Sequence, residues 1–395
     1  HGYYVYEGEK VADKGKLEYR GFDMAQLVEG YNAENRYGFE EVVYLLLFGK
    51  LPSKTELDDF NALLAHYRQL PPRFSEDILM KAPSRSIMNK MATGVLALYS
   101  YDENPDDTSL ENMLRQSIEI IARLPVIAAH SYAYYRSYYH GKSLNFHMPH
   151  DDLSTSQNFL RLLRSSKQYT EEEARLLDIC MIIQAEHGGG NNSSFTCRVL
   201  SSSGTDTYSA IAGAIGSLKG PLHGGANIKV QEMFDDMKAS IDTRDENQIK
   251  DYLVKLLDKQ AFDKAGLIYG MGHAIYSISD PRAEIFKGFV KQLAVEKGRE
   301  EEYALYEMVE HMAPRIIAEK RKMYKGVNAN VDFYSGLVYN MLGIPKELYT
   351  PLFAAARIVG WSAHRLEELK NVDKIIRPAY MPLAPYREYT RIDER

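Results

Sequence analysis

The stretch Lys219-Gly220-Pro221-Leu222-His223-Gly224-Gly225-Ala226-Asn227 joins two helical patterns. Residues 205–218 are typical of a helix of small residues that ends at the Gly-Pro pair, and residues 226–239 are typical of the next helix. His223 is therefore predicted at a junction between helices, where glycines let backbone N–H groups approach a ligand closely. A tight turn with a merely exposed histidine explains this stretch equally well when it is taken alone.

Helical periodicity also dominates the rest of the chain. Residues 6–31 predict short extended structure followed by a helix, and a long helical tract covers 109–138 with an interruption at Pro125. Ser53 and Glu56 form a predicted capping box. Later helices are predicted at 156–165, 170–186, 246–258, 283–297, 299–324, 328–342 and 346–370. Because strand patterns are almost absent, the sequence predicts an all-α fold.

Composition excludes several classes of protein. With 45% hydrophobic and 26% charged residues, the chain of 395 residues is typical of a globular protein long enough for two domains. The net charge of -6 argues against nucleic acid as the main partner, and the densest apolar run, Val42–Phe48, is too short to span a membrane. The start, HGYYVYEGEK, lacks the pattern of a secretion signal. Cys180 and Cys197 lie in apolar helical patterns, so we expect reduced core thiols and a cytoplasmic enzyme.

Two further junctions combine glycine with histidine. One is Ala185–Ser193 (AEHGGGNNS), and the other is Tyr269–Ala274 (YGMGHA), which is followed by Asp280-Pro281-Arg282. The second is not a dinucleotide fingerprint, because Ile275 replaces the third glycine and no parallel sheet is predicted. The spacing of the histidines fits no common zinc site. We interpret them as imidazoles that separate helix ends bring to one pocket, where they polarise carbonyls and transfer protons.

The remaining candidates suit an anionic substrate. Arg282, Arg357 and Arg377 are candidate carboxylate clamps, although ordinary ion pairs explain most arginines taken singly. Asp332 lies in the apolar stretch Asn330–Gly336 (NVDFYSG), where its aromatic neighbours would desolvate a carboxylate and strengthen it as a base. A cap at the start of a helix is the alternative role for this aspartate.

Five motifs in order make the sequence similar to the citrate synthase family. They are GPLHGGAN, GMGH with DPR, NVDFYSG, ARIVGW and IIRP, and the similarity extends forward through LEYRGFDMAQLVE and FEEVVYLLLFGKLP. The resemblance implies an all-α, two-domain homodimer with its active site in the cleft between the domains. It implies a large domain of residues 1–225 and 335–395 and a small domain of residues 226–334.

The same resemblance implies three catalytic residues. Asp332 would take a proton from the methyl group of the thioester, and His223 would bind the thioester oxygen. His273 would protonate the carbonyl oxygen of oxaloacetate as the new bond forms. Because a thioester α-proton is only weakly acidic, the base and the donor to the oxygen must act together in a dry site.

The resemblance further implies binding residues for both substrates. Oxaloacetate would be held by His187, Arg282, Arg357 and, from the partner subunit, Arg377, while Asn191 would hold the His187 loop. The adenine of coenzyme A would lie in a loop that contains Gly270, Met271, Gly272 and Ala274. The coenzyme is a co-substrate here, and the resemblance implies neither a metal nor a permanently bound cofactor.

Two positions depart from the pattern of the family. An acidic residue usually follows the first histidine, but Gly188 stands there, so the partner of this loop is in doubt. Ser277 replaces a basic residue that often meets the phosphates of the coenzyme. Lys320, Arg321, Lys322 and Lys325 could compensate, but cations near the C-terminus of a helix also have a structural explanation.

The expected activity is that of a Si-type citrate synthase of the tricarboxylic acid cycle, an acyltransferase that uses acetyl-CoA, oxaloacetate and water. The first alternative is 2-methylcitrate synthesis from propionyl-CoA, because one methylene changes discrimination by only about 1–3 kcal/mol. The second is a catalytically silent relative that binds coenzyme A or a dicarboxylate as a sensor. The complete set of histidines, arginines and Asp332 argues against this second alternative.

Overall fold

The computed structural model describes residues 2–6, 9–273, 275–322, 326–371 and 374–395. Its α-helices are α1 Met24–Ala33, α2 Phe39–Phe48, α3 Lys54–Arg68, α4 Ile87–Leu98, α5 Leu110–His140, α6 Thr155–Leu163, α7 Glu171–Gln184, α8 Asn192–Ser202, α9 Thr207–Leu218, α10 Ala226–Ser240, α11 Glu246–Leu257, α12 Pro281–Glu296, α13 Glu300–Arg321, α14 Val331–Met341 and α15 Tyr349–Asn371. A π-helical segment covers Ser75–Met80, and short 3₁₀ turns cover Tyr99–Tyr101, Lys346–Leu348 and Ile392–Glu394.

The strands form two small antiparallel hairpins near the start of the chain. Strand β1 (Tyr3–Tyr6) pairs with β2 (Glu9–Ala12), and β3 (Glu18–Tyr19) pairs with β4 (Phe22–Asp23). All other regular structure in the described residues is helical, apart from the isolated bridge Met271–Ala329, so the all-α prediction is confirmed. Among these helices, none is both long and apolar enough to cross a membrane.

Local signals predicted most helix ends to within a few residues. Ser53 and Glu56 form the expected capping box at the start of α3. The predicted interruption at Pro125 was wrong, because α5 is one helix of 31 residues that continues through this proline. Pro125 is buried, so packing of its ring against neighbouring helices compensates for the hydrogen bond that a proline cannot donate.

Helix α15 runs through the middle of one large group of helices. It packs against α5, α7, α8 and α2, and its residues are buried along most of its length, including the side chain of Trp361. Cys180 in α7 and Cys197 in α8 are unbridged and fully buried, as the sequence predicted. Burial along most of its length is typical of a helix at the centre of a group of helices.

Helices α10 to α14 pack mostly on one another. Helix α14 contacts α10 and α12, and α13 contacts α11 and α12. The predicted boundary between residues 334 and 335 falls inside α14, which is one continuous helix. The first turns of α12 and α14 meet, because Asp280 at the start of α12 accepts the N–H of Val331 at the start of α14. This meeting places the candidate side chains of both segments at one point.

Candidate active site

His223 lies in the turn between α9 and α10, and Ser193 holds its imidazole. The N–H of Ser193 donates to Nε2 of His223 at 3.3 Å, and the Ser193 hydroxyl lies 2.9 Å from the same nitrogen. Trp361 Nε1 donates to that hydroxyl at 3.1 Å, which fixes the serine. Because Nε2 accepts, the ring proton is on Nδ1. Burial, with a smaller effect of Arg357, lowers the pKa of His223 to about 4, so the ring is neutral near pH 7.

His187 occupies the loop between α7 and α8 and is buried. Its ring lies 5.1 Å from that of His273 between centroids, in an edge-to-face arrangement. Its Nε2 atom is buried and makes no hydrogen bond to any residue that the structure describes. Burial, followed by the charges of Arg282 and Arg357, holds the pKa of His187 far below its usual value. A neutral imidazole with a buried, unsatisfied nitrogen is suited to bind a polar ligand.

The segment that carries His273 is tied to the start of α14. Met271 pairs with Ala329, Gly272 N–H donates to Asn328 O at 2.7 Å, and Asn330 N–H donates to Gly270 O at 2.9 Å. Gly270 has φ +80°, a conformation that favours glycine, and a β-carbon there would collide with Phe333. The two ends of this pairing lead directly to His273 and to Asp332.

His273 and Arg282 present donors to the same point. Nδ1 of His273 accepts the N–H groups of Ile275 at 3.1 Å and of Tyr276 at 3.3 Å, so the ring proton is on Nε2. That nitrogen lies 3.4 Å from Nη2 of Arg282. Since both are donors in this tautomer, a carbonyl or carboxylate oxygen about 2.9 Å from each would accept from both.

Arg282 is buried together with its counter-ion. Its Nε and Nη2 donate to the two oxygens of Asp280 at 3.0 and 2.7 Å. Burial opposes the charge of Arg282, but Asp280 outweighs it and raises the pKa of the guanidinium. Asp280 also caps α12 and accepts the N–H of Val331 at 3.2 Å. One carboxylate therefore fixes the arginine and the helix start next to Asp332.

Asp332 is the second residue of α14, and Asn330 caps its N–H. Its Oδ1 atom is buried and accepts no hydrogen bond within the described part of the chain. Burial raises the pKa of Asp332 to about 6; the charges of Arg282 and Arg357 oppose this rise, and Asp280 adds to it. A carboxylate with this pKa is a suitable general base near neutral pH.

Arg357 lies in α15 and is fully buried. Its Nε donates to the carbonyl of Gln184 at 2.7 Å, and its guanidinium stacks over the ring of Phe353, 4.7 Å from the centroid. The same ring lies 6.4 Å from that of His223. Nη1 and Nη2 are buried and have no hydrogen-bond partner in the described residues. Burial lowers the pKa of Arg357 to about 10, so the side chain is charged near pH 7.

The other predicted site residues are placed as follows. Asn191 is the residue before α8 and makes no side-chain capping bond, and its Oδ1 lies 3.1 Å from the Ser193 hydroxyl. Arg377 is exposed in the segment after α15. Gly270, Met271 and Gly272 form the paired segment before His273, and Ala274 lies outside the described residues.

Two of the four cations named as possible replacements for a basic residue at Ser277 have structural partners. Lys320 pairs with Asp258 at 2.8 Å, and Arg321 donates to the carbonyl of Gly266 at 2.6 Å. Lys322 is the cap residue that follows α13, and Lys325 lies outside the described residues. These contacts favour the structural explanation for Lys320 and Arg321.

Sequence reasoning missed three residues that support the site. Asp280 and Ser193 had no predicted role beyond their place in the motifs DPR and AEHGGGNNS. Glu186 received no role, although it precedes His187 directly. A charged residue beside a glycine-rich histidine loop is the signal that could have identified Glu186. The fixed partner of Ser193, His223, is 30 residues away, and no local pattern connects them.

The fold and the cluster agree with comparisons to known proteins. Residues 6–379 match the family described as citrate synthase, C-terminal domain. A citrate synthase from Synechocystis sp. is 32% identical over 96% of this chain and 88% of its own length. A 2-methylcitrate synthase from Shewanella oneidensis is 34% identical over 93% of this chain and 89% of its own length. The citrate synthase of Thermoplasma acidophilum was solved as a ternary complex with carboxymethyl coenzyme A and oxaloacetate. It superposes on this chain with a TM-score of 0.81 at 26% sequence identity, and the match covers 96% of this chain and 93% of that one. Similarity over nearly the full length in both sequence and fold shows that this chain belongs to the citrate synthase family.

Proposed function

We propose that this enzyme condenses acetyl-CoA with oxaloacetate and water to give citrate and free coenzyme A. The observation that carries the proposal is Arg357, whose buried guanidinium has two nitrogens without partners in the described residues. Glu186 and Asp332 act on this charge only through space. A buried charge without a hydrogen-bonded counter-ion is costly, so a site that keeps one is suited to bind an anion. A dicarboxylate supplies this counter-ion, and the donors of His273 and Arg282 suit its carbonyl or carboxylate oxygen.

In the proposed first step, Asp332 removes a proton from the methyl group of the thioester. The electrons of the broken C–H bond move to the thioester oxygen, which accepts a hydrogen bond from Nδ1–H of His223. This role agrees with the neutral state of His223 and with the raised pKa of Asp332. Base and donor lower the barrier together, because neither alone stabilises the enolate sufficiently.

In the second step, the enolate carbon forms a bond to the carbonyl carbon of oxaloacetate. The carbonyl oxygen takes a proton from Nε2–H of His273, while Arg282, Arg357 and the Arg377 of a second subunit hold the carboxylates. His187 orients the substrate from the neighbouring loop, which Asn191 supports. Water then hydrolyses the citryl thioester, which releases citrate and coenzyme A. Closure of the small domain on the large one would exclude water until the new bond has formed.

The choice of acyl group is the finer part of the proposal. The relatives compared above include both a citrate synthase and a 2-methylcitrate synthase at nearly the same identity, 32% and 34%. Initial rates of thiol release with oxaloacetate and either acetyl-CoA or propionyl-CoA distinguish the two. We expect the higher kcat/KM with acetyl-CoA. A preference for propionyl-CoA would assign 2-methylcitrate synthesis, and oxaloacetate binding without thiol release would indicate a silent relative.

We also propose a homodimer in the cytoplasm. The segment after α15 is anchored where Ile376 N–H donates to Ser202 Oγ at 2.9 Å. Beyond it lie large apolar side chains that are each at least 80% exposed, namely Tyr380, Met381, Leu383, Tyr386 and Tyr389. Such an exposed apolar segment supports burial against a second subunit, which would bring Arg377 to the neighbouring site. The two buried, unbridged cysteines agree with a reducing compartment.

A further inference from the structure

Glu186 is the residue between α7 and His187, and its carboxylate holds the backbone of the His187 loop. Oε1 accepts the N–H of His187 at 2.8 Å and the N–H of Gly188. Gly188 has φ +89°, so the backbone turns sharply after the histidine in a conformation that favours glycine. The loop thus receives its carboxylate from the residue before His187, in place of the acidic residue expected after it.

His364 in α15 holds this carboxylate in turn. Its Nε2 lies 3.0 Å from Oε1 of Glu186, and the two side chains are 21% and 12% exposed. Burial opposes ionisation of Glu186, but the hydrogen bond and charge of His364 and the charge of Arg357 outweigh it and lower the pKa of the carboxyl. The carboxylate is therefore ionised and accepts its hydrogen bonds strongly.

The contact between Glu186 and His364 accompanies two hydrogen bonds between α15 and the C-terminal end of α7. Arg357 donates to the carbonyl of Gln184, Gly360 N–H donates to the carbonyl of Ala185 at 3.1 Å, and His364 contacts Glu186. These three residues of α15 lie on one face, because their spacing is close to whole turns of a helix. A β-carbon at Gly360 would collide with the Glu186 carboxylate, so the glycine is required for the approach.

The loop that contains His187 is not closely packed on every side. A cavity of about 410 Å³ borders Glu186, His187, Gly188 and His364. Hydrogen bonds must therefore supply the order that close packing supplies elsewhere. We infer that Glu186 and His364 are a positioning pair: His364 orients the Glu186 carboxylate, which fixes the backbone of the loop so that the His187 imidazole faces oxaloacetate. The part of this inference that concerns oxaloacetate rests on the proposed function.

The test compares His364→Ala, His364→Gln, Glu186→Ala and the double variant of Glu186→Ala with His364→Ala. A glutamine amide reaches roughly the position of Nε2, so His364→Gln should restore what His364→Ala removes. We expect His364→Ala to raise KM for oxaloacetate about tenfold, as loss of a hydrogen bond to a charged group predicts. The kcat value and the KM for acetyl-CoA should stay within about twofold. His311→Ala, at an exposed histidine of α13, is the matched control and should change none of these values.

Hydrogen–deuterium exchange without substrate provides the second readout. The amides of residues 187 and 188 should exchange faster in His364→Ala and in Glu186→Ala, and at the normal rate in His364→Gln. Because His364 acts through Glu186, the double variant should be no worse than Glu186→Ala. Unchanged exchange in His364→Ala, no rescue by glutamine, or additive defects would each overturn the inference. A wild-type protein that releases no thiol would contradict the proposed function, and the exchange rates would then decide whether the pair holds the loop.

Discussion

The hydrogen-bonding state of Arg357 indicates that this residue is suited to bind a ligand. Two of its guanidinium nitrogens are buried without a hydrogen-bond partner in the part of the chain that is described, whereas Arg365, two turns later in α15, donates to Thr207, Ser201 and Thr205. Both arginines are fully buried. Because only one of them has its hydrogen bonds satisfied within the protein, the other is suited to a ligand.

We predict different effects for the two matched substitutions Arg357→Met and Arg365→Met. Arg357→Met should abolish oxaloacetate binding and lower the free energy of unfolding less than Arg365→Met does, because the two Nη groups that it removes have no hydrogen-bond partner in the described residues. Arg365→Met should destabilise the protein and leave oxaloacetate affinity intact. Calorimetric titration and thermal unfolding check both. Strong oxaloacetate binding by Arg357→Met would contradict its assigned role.

The raised pKa of Asp332 predicts the acid limb of the pH profile. Since the base must be ionised, kcat/KM should fall about tenfold per pH unit below about pH 6. Steady-state rates between pH 5 and 8 measure this limb, with the fraction of folded protein followed by circular dichroism as a control. A profile that stays flat to pH 5 would rule out a base with this pKa.

The same shift predicts a cost in stability. The folded state favours protonated Asp332, so stability is lost as pH rises from about 4 through about 6. Asp332→Asn removes this cost. It should stabilise the protein relative to wild type at pH 7 but not at pH 4, while condensation collapses and oxaloacetate affinity is nearly retained. Urea unfolding at both pH values checks the first part, and a parallel loss of binding and rate would contradict the second.

At the scale of elements, the site is assembled where the first turns of α12 and α14 meet the segment 270–273. A helix start offers unpaired N–H groups, and Asp280 and Asn330 cap these two helices. The paired segment before His273 then fixes the distance between that histidine and Asp332. Substitutions that disturb the backbone pairing of residues 270–272 with residues 328–330 should therefore affect catalysis as well as stability.

Gly270→Ala and Gly272→Ala test the pairing. Both positions have positive φ, so both substitutions carry backbone strain of about 1 kcal/mol. At residue 270 a β-carbon would also lie 2.8 Å from Phe333 and 2.9 Å from Val230, whereas at residue 272 the nearest atom is 3.9 Å away, in Val327. Gly270→Ala should therefore lower both kcat and Tm, and Gly272→Ala should lower Tm less. Equal effects would mean that the contact with α14 is unimportant.

At the scale of the whole molecule, we propose that each site takes its third arginine from a second subunit; Arg377 is exposed in its own chain. We predict that dimers that combine an Arg377→Ala chain with an Asp332→Asn chain recover one functional site. The site built around the intact Asp332 then receives the intact Arg377 of its partner. Rates of the mixed dimers, compared with each variant alone, measure the recovery. No recovery in a proven mixed dimer would show that Arg377 serves its own chain.

The sequence alone was enough to predict the fold class and the places where the candidate histidines lie. Helix periods, the capping box at Ser53 and the glycines at helix ends are local, so they predicted the all-α fold and the positions of the three histidine junctions. The interruption at Pro125 was wrong because burial of the ring depends on neighbouring helices, which a local rule does not include. The division into domains and the roles of the site residues remain predictions.

Only the tertiary structure decided which distant groups meet. It paired Ser193 with His223, Asp280 with Val331, and His364 with Glu186, 178 residues apart. It also decided the raised pKa of Asp332, and it left Nη1 and Nη2 of Arg357 without hydrogen-bond partners among the described residues. Burial and long-range charge depend on the positions of many residues at once, and no stretch of sequence contains them.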